Sequence, residues 1–211
     1  MDKHLLLLAN SKKLRGRCLA GVEVELDGEN WRFKFDAQDR PIWLRPVSRN
    51  EHGEIDHHVA DPLRVMEIIR LVSTTPAPFG YQRENIYFDR LESCGMNHFE
   101  IDDLGFISVS SEAPTFGNRK NAVHVDHIDE VDHSLVLVEP SRFESYVRTY
   151  EGGKNQLRGH YTLAGVEYDQ PITDPGFQLG DEQGLHAYLT ISLGLEHESF
   201  HSKLIAAVVL A

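Results

Sequence analysis

The sequence has few cysteines and no long apolar run. Cys18 and Cys94 are the two thiols in 211 residues, and their separation gives no zinc-ribbon or thioredoxin signal and suits a reducing compartment. No stretch approaches the roughly 18 to 20 apolar residues that a membrane helix needs. The apolar run at residues 5–9, followed by polar and basic residues, is too short for a signal peptide. We therefore expect a cytoplasmic protein without a membrane segment.

The motifs of common enzymes are also missing. The chain has no Gly-x-Ser-x-Gly sequence, no phosphate-binding loop and no dinucleotide fingerprint. These absences do not exclude an enzyme, but nothing in the sequence argues for one. We expect no cofactor.

Positive charge is scarce and unevenly distributed. The chain has 21 Lys and Arg against 33 Asp and Glu, a net charge of −12, which works against non-specific binding of nucleic acid. Residues 1–50, however, carry ten cations against seven carboxylates, whereas residues 51–211 carry eleven against twenty-six. An anion-binding surface is therefore expected in the N-terminal quarter.

Short alternating segments predict an all-β fold with minor helix. A helical tendency is expected only in residues 89–105, and residues 48–61 are expected to form an exposed loop. The predicted strands number about ten to twelve and cover residues 5–9, 21–26, 31–35, 42–47, 62–72, 86–88, 134–140, 143–150, 156–163, 166–172, 187–193 and 203–210.

The segment at residues 108–121 is rich in Ser, Pro, Gly and Asn and is typical of a boundary between domains. It divides the predicted strands into two groups of five to six. Two small barrels, residues 1–112 and 113–211, are the architecture that this grouping favours, with a single sandwich as the competitor.

A basic segment follows the first predicted strand. It contains Asn10, Ser11, Lys12, Lys13, Arg15 and Arg17 around one glycine, the composition of a loop that meets an anion. A solvated loop that happens to be basic is the alternative.

Nearby strands add further cations, among them Arg45, and aromatic side chains of the kind that stack on bases in single-stranded nucleic acid. Because Trp31, Phe33 and Phe35 share one face of their strand, we expect these aromatic side chains mainly in the core.

Three other polar groups are candidates. His124, Asp126 and His127 lie in the acidic segment 124–133 and could bind a divalent metal, although a solvated acidic segment is the favoured interpretation. The tetrad at residues 82–85 could position a substrate, or could join two domains by hydrogen bonds. A buried pair between Arg158 and Asp174 is expected to hold a loop of the second half to its sheet.

Several blocks of the chain together resemble the bacterial dual OB-containing domain family. They occur in the same order over nearly the whole chain, at residues 5–21, 43–48, 82–85, 173–175, 191–194 and 203–208. The resemblance implies two OB-like barrels in tandem and a nucleic-acid role inferred from the fold. It also implies that the matching positions most exposed to solvent are Asn10, Ser11, Lys12, Arg17, Arg45, Gln82, Glu84 and Asn85.

The leading hypothesis is a non-enzymatic binding module that engages single-stranded nucleic acid or a nucleotide through the first half. The alternatives are a metal-dependent hydrolase that uses His124, Asp126 and His127, and an acidic scaffold that binds a protein partner. The ligand-binding residues predicted by the leading hypothesis are Asn10, Ser11, Lys12, Lys13, Arg15, Arg17, Arg45, Gln82, Glu84 and Asn85.

Overall fold

A computed structural model describes residues 1–95, 98–109 and 114–211. The chain divides into two compact units, Met1–Asp103 and Leu104–Ala211. The boundary predicted between residues 112 and 113 lies outside the described residues.

The first unit consists mainly of strands. Its elements are β1 (Lys3–Lys13), β2 (Gly16–Asp27), β3 (Asn30–Phe33), β4 (Trp43–Val47), the short helix α1 (His57–Ala60), β5 (Ile68–Val72), β6 (Thr75–Pro76), β7 (Asn85–Tyr87) and β8 (Arg90–Gly95).

The strands of the first unit form one curled sheet with the order β6-β7-β4-β2-β1-β5-β8, and β3 pairs with β2. β1 pairs antiparallel with β2 and β5, and β2 pairs antiparallel with β4. β4 runs parallel to β7, and β7 pairs antiparallel with β6, which continues the path of β5 after two residues. This sheet buries apolar side chains from the early and the late strands of the unit, namely Leu5, Leu7, Leu19, Leu44, Ile69, Leu71 and Ile86.

The long hairpin of β1 and β2 bends where the two strands change register, between Leu7 and Ala9. Gly21 lies opposite Leu7, and a Cβ added at Gly21 would lie 2.0 Å from the carbonyl oxygen of Leu6. The close approach of the two backbones therefore requires glycine at this position. Such irregularities give strands the curvature that a barrel needs.

The second unit repeats this pairing order. Its strands are β9 (Ala122–His124), β10 (Leu135–Val138), β11 (Arg142–Thr149), β12 (Asn155–Leu163), β13 (Val166–Pro171), β14 (Ala187–His197) and β15 (Phe200–Leu210), and its 3₁₀ segments include Thr115–Gly117 and Val125–Glu130. The 3₁₀ segment Ile101–Phe106 crosses the division between the units.

β11, β12 and β13 form an antiparallel meander, while β10 pairs with β14 and β14 with β15. A parallel bridge between Ile172 and Ile205 joins the end of β13 to β15. β10 and β11 are consecutive and act as one bent first strand. β4 thus meets β7 in parallel in the first unit, and the end of β13 meets β15 in parallel in the second. These contacts correspond to the one between the third and fifth strands of a five-stranded OB barrel. The prediction of an all-β chain with two OB-like units is confirmed.

Lys203 on β15 is a fully buried cation. Its Nζ donates to the carbonyl oxygens of Thr115 at 2.7 Å and Asn118 at 2.8 Å. These bonds hold the segment around Phe116, whose φ is 50°, against β15. Burial lowers the pKa of Lys203 to about 7, because the charged form loses hydration.

The outer edge of β11 is covered at its centre by a carboxylate. Oε1 of Glu182 accepts hydrogen bonds from the Ser145 backbone N–H at 2.7 Å and from the Ser145 hydroxyl at 2.8 Å. An edge N–H that is already bonded cannot pair with another chain, so Glu182 protects this edge.

Four sequence expectations about local structure were wrong in part. Residues 90–95 form strand β8 rather than a helix, because they pair with β5 and Leu91 packs on the core. In the segment 62–72 the strand begins only at Ile68, after Met66 with φ of 70°. The segment 48–61, which was expected to be an exposed loop, includes α1, in which Ala60 is buried. Phe35, which was expected in the core, is 40% exposed.

Candidate functional site

The basic segment of the first unit is the tip of the β1–β2 hairpin. Lys13 pairs with Gly16 across a two-residue turn, Leu14 and Arg15, in which Leu14 has φ of 45°. Lys12 and Arg15 are exposed, and among the described residues neither side chain forms an ion pair. We call residues 12–17 the hairpin tip. It presents two cations, Lys12 and Arg15, that no carboxylate of the described residues neutralises.

Asn10 and Ser11, which were expected to be exposed, are buried. The Asn10 side-chain amide donates to the carbonyl oxygens of Ala60 at 2.8 Å and Leu63 at 3.2 Å. The amide therefore anchors the end of α1 to β1. The prediction of exposure was wrong here, because a polar side chain is readily buried where backbone acceptors meet it.

Two cations of the hairpin tip also have structural roles. Nε of Arg17 donates to Oδ1 of Asp61 at 2.7 Å, and this bond lowers the pKa of Asp61. Burial lowers the pKa of Lys13, which is only partly exposed. Lys12 and Arg15 are thus the cations of the tip most available to an external anion.

Arg45 is buried on the side of the sheet that also carries Cys18. Its Nη2 lies 3.3 Å from Oε1 of Glu84 and its Nη1 lies 3.9 Å from Sγ of Cys18. The side chains of both members of this ion pair are almost inaccessible to solvent, so the expectation that Arg45 and Glu84 are exposed was wrong. The ion pair links β4, which carries Arg45, to Glu84, the residue that precedes β7.

Gln82 and Asn85 are buried as well, contrary to expectation. The Asn85 amide donates to Oε1 of Gln82 at 3.2 Å. The backbone of Gln82 exchanges two hydrogen bonds with Phe79, at 3.0 and 3.2 Å. Together these bonds stiffen the loop at residues 77–84, which joins β6 to β7.

This loop carries two exposed residues that were not predicted as site residues from the sequence, Phe79 and Arg83. Phe79 is 75% exposed, and Arg83 is also exposed. An aromatic residue followed by glycine after a proline-rich break was the available signal. The first unit therefore combines an aromatic ring and a cation on the 77–84 loop with cations at the hairpin tip.

A comparison with protein-family models places the whole fold in one family. The model described as "Dual OB-containing domain" matches residues 3–208. The chain belongs to the dual OB-containing domain family. The resemblance inferred from the sequence blocks is confirmed over nearly the full length.

Other comparisons add little to this family assignment. No curated protein matches the chain. Among solved structures, the crystal structure of the tetrameric p202 HIN2 matches with 10% identity and a TM-score of 0.31, covering 100% of this chain and 92% of that chain. A match at this TM-score supports no conclusion about fold or function. Within the described residues, no helix of this dual-OB chain is long and apolar enough to cross a membrane.

The histidine cluster of the second unit is divided among local pairs. His124 Nδ1 lies 3.3 Å from Oδ2 of Asp126, and His127 Nδ1 lies 3.1 Å from Oε1 of Glu130. In residues 1–95, 98–109 and 114–211, no three His, Cys, Asp or Glu side chains are grouped so that they could hold a metal ion. His124, Asp126 and His127 thus form no ligand set in the described structure.

The expected pair between Arg158 and Asp174 was wrong in its partner. Arg158 on β12 donates from Nε to Oδ1 of Asp169 on the neighbouring strand β13, at 2.8 Å. Asp174 instead accepts from the backbone N–H groups of Gly176 and Val208, at 2.8 and 3.0 Å. Asp174 does hold its loop to β15, but through backbone donors.

Proposed function

We propose that the chain is a non-enzymatic module that binds single-stranded nucleic acid or a nucleotide through its first unit. The observation that carries this proposal is the pair of un-neutralised cations, Lys12 and Arg15, at the tip of the β1–β2 hairpin. Phosphate groups are bound by such cations largely through charge. Arg17 joins the tip to Asp61, and Arg45 lies against Cys18, the residue that follows the tip.

Phe79 and Arg83 add an exposed aromatic residue and a further cation to the proposed binding surface. An exposed ring offers a surface on which a base can stack, and stacking contributes about 1–3 kcal/mol per base. The buried Arg45–Glu84 pair fixes the end of this loop to β4, and Arg45 also lies against Cys18 of β2. Gln82, Glu84 and Asn85 therefore act in this proposal as residues that position the loop rather than as direct contacts, as do Asn10 and Ser11 for the hairpin.

The test measures binding of a short fluorescent oligothymidine at several salt concentrations. In the variant Lys12→Glu with Arg15→Glu, we expect binding to weaken at least tenfold and the slope of log K against log salt to fall by about 1.4, because each phosphate contact on a single strand contributes about 0.7. The matched control is Arg119→Glu with Lys120→Glu, which changes the net charge equally at two exposed cations of the second unit.

Two results would reject the proposal for the first unit. One is a parent protein that binds no oligonucleotide at low salt, and the other is an equal effect of the two double variants. Phe79→Ala tests stacking separately, because it should weaken binding without a change in the salt slope.

The other hypotheses from the sequence have less support. The described residues offer no grouped ligands for a metal-dependent hydrolase. An acidic surface that binds a protein partner, and a cytoplasmic location, stay predictions.

A further inference from the structure

The outer face of the β11–β12–β13 sheet in the second unit carries exposed tyrosines. Alternate residues of β11 lie on this face, and Tyr146 is paired with Arg158 while Arg148 is paired with Gln156. Tyr146 and Tyr150 are exposed residues, with 36% and 38% of their surface accessible to solvent. We call this surface the tyrosine face; it consists of Tyr146, Arg148, Tyr150, Gln156, Arg158 and Asp169.

The opposite side of the same sheet is packed, so the tyrosine face is the side open to solvent. A Cβ added at Gly159 would lie 2.5 Å from Cδ1 of Ile205 and 2.7 Å from Cε2 of Phe143. Tyr161 and Tyr168 on that side are buried and stacked, with ring centroids 5.1 Å apart. The exposed and buried tyrosines thus belong to different faces of one sheet.

A hydrogen-bond network fixes the two exposed rings. The Tyr146 hydroxyl donates to Oδ2 of Asp169 at 2.8 Å, and Arg158 donates to Oδ1 of the same carboxylate at 2.8 Å. The Tyr150 hydroxyl donates to Oε1 of Gln156 at 2.9 Å and accepts from Nη1 of Arg158 at 3.3 Å. Although partial burial acts to raise it, the pKa of Asp169 is held low by the bonds from Arg158 and Tyr146. Rings that are already ordered lose little entropy on binding.

Positive charge in the second unit is concentrated on this hairpin. Residues 104–211 contain seven Lys and Arg against fifteen Asp and Glu, yet residues 142–158 hold four of the cations and only two of the carboxylates. Arg148 lies over the Tyr150 ring, 5.0 Å from its centroid, and in the described structure no carboxylate forms an ion pair with it. Arg148 and the exposed Lys154 are therefore available to an anion beside the two rings.

We propose that the tyrosine face is a second binding surface for single-stranded nucleic acid, in which Tyr146 and Tyr150 each stack a base and Arg148 and Lys154 contact phosphates. The ligand class is that of the proposed function, on which this inference rests, but the surface belongs to the other unit. Exposed rings beside free cations fit unpaired bases joined by phosphates. The acidic remainder of the unit repels a polyanion, so the strand is confined to this hairpin.

The experiment uses the full chain and a short oligothymidine that carries a central 2-aminopurine, whose fluorescence reports stacking. In Tyr146→Leu with Tyr150→Leu, affinity should fall by about tenfold for each ring lost. The fluorescence change should decrease to the part that Phe79 of the first unit contributes, and the salt slope should be unchanged. Tyr146→Phe with Tyr150→Phe keeps both rings and should restore affinity and fluorescence change. Circular dichroism of each variant confirms that the fold is retained.

The two double variants test the two proposed binding surfaces independently. If the leucine variant binds like the parent while Lys12→Glu with Arg15→Glu does not, this inference is overturned and the proposed site of the first unit stands. If the leucine variant loses binding and the hairpin-tip variant does not, the tyrosine face is supported and the first unit is excluded. A phenylalanine variant as weak as the leucine variant would also overturn the inference, because the hydroxyl network and not stacking would then explain the loss.

Discussion

Replacing Lys203 with methionine should remove a pH dependence of stability that originates in the second unit. The Lys203 side chain is fully buried, and its ammonium group contacts oxygens of Thr115 and Asn118. Burial lowers the pKa of Lys203 to about 7. In the unfolded chain the same group has a pKa near 10.4. Between these values the unfolded chain holds a proton that the folded protein has released, so the free energy of unfolding rises with pH.

The size of the effect follows from the two pKa values. Well inside the window, the contribution of Lys203 increases by about 1.4 kcal/mol for each pH unit. Because the folded group is half protonated at the lower end, the total change between pH 7 and pH 9 is about 2 kcal/mol. Below pH 7 both states are protonated, and the contribution of Lys203 levels off. Methionine keeps most of the length of the side chain and has no proton to exchange.

Urea unfolding measured at intervals from pH 6 to pH 9 tests this prediction. Both tryptophans, Trp31 and Trp43, lie in the first unit, so the second unit is better followed by far-ultraviolet circular dichroism. The difference between parent and Lys203→Met should change by about 2 kcal/mol across the window. The control Lys154→Met removes an exposed lysine of the same unit. Stability curves of parent and Lys203→Met that run parallel would refute the reasoning.

Three further predictions concern single contacts. Gly21→Ala should destabilise the first unit by about 3 kcal/mol or more, because the new Cβ would lie 2.0 Å from the Leu6 carbonyl oxygen. Urea unfolding followed by tryptophan fluorescence measures this loss, and a loss below about 1 kcal/mol would contradict the prediction. Asn10→Ala should cost about 2 kcal/mol in the same assay, since it leaves two buried carbonyl oxygens without their amide donor, and an unchanged midpoint would exclude the anchoring role. Burial acts to raise the pKa of Glu182, but hydrogen bonds led by the Ser145 N–H lower it, so its contribution is present above about pH 4.5 and is lost as pH falls through the lowered value. Thermal melts in acid should show a shallower loss of stability for Glu182→Gln than for the parent.

The fold was predictable where two independent signals in the sequence agreed. In residues 143–172, alternation of apolar and polar side chains coincides with glycine-containing turns, and the meander β11–β12–β13 follows the prediction closely. Residues 90–95 lack such agreement, since their sequence Arg-Leu-Glu-Ser-Cys-Gly has one strongly apolar residue. Pairing with β5 decides their structure, and a partner some twenty residues away is not visible in a local pattern.

The candidate site was predictable in composition but not in exposure. The hairpin tip is basic in the sequence and in the structure, yet Arg17 is engaged by Asp61, 44 residues later in the chain. Arg45, Gln82 and Asn85 are polar residues that become buried because distant segments supply their partners. Sequence patterns identify polar residues, whereas long-range contacts decide which of them meet solvent.

The last strand of each unit, β8 in the first and β15 in the second, determines when that unit can fold during synthesis on the ribosome. All strand pairs of the first unit are present once residue 95 has been synthesised, whereas the second unit needs β15, which supplies the contact between Ile172 and Ile205. A ribosome adds about 5–20 residues per second, so the two units become complete roughly 5 to 20 s apart. In the last part of that interval β11, β12 and β13 have been synthesised, but β15, which closes their barrel, has not. The first unit can therefore complete its pairing while the second still exposes apolar sheet surface, a condition that makes a nascent chain prone to aggregation.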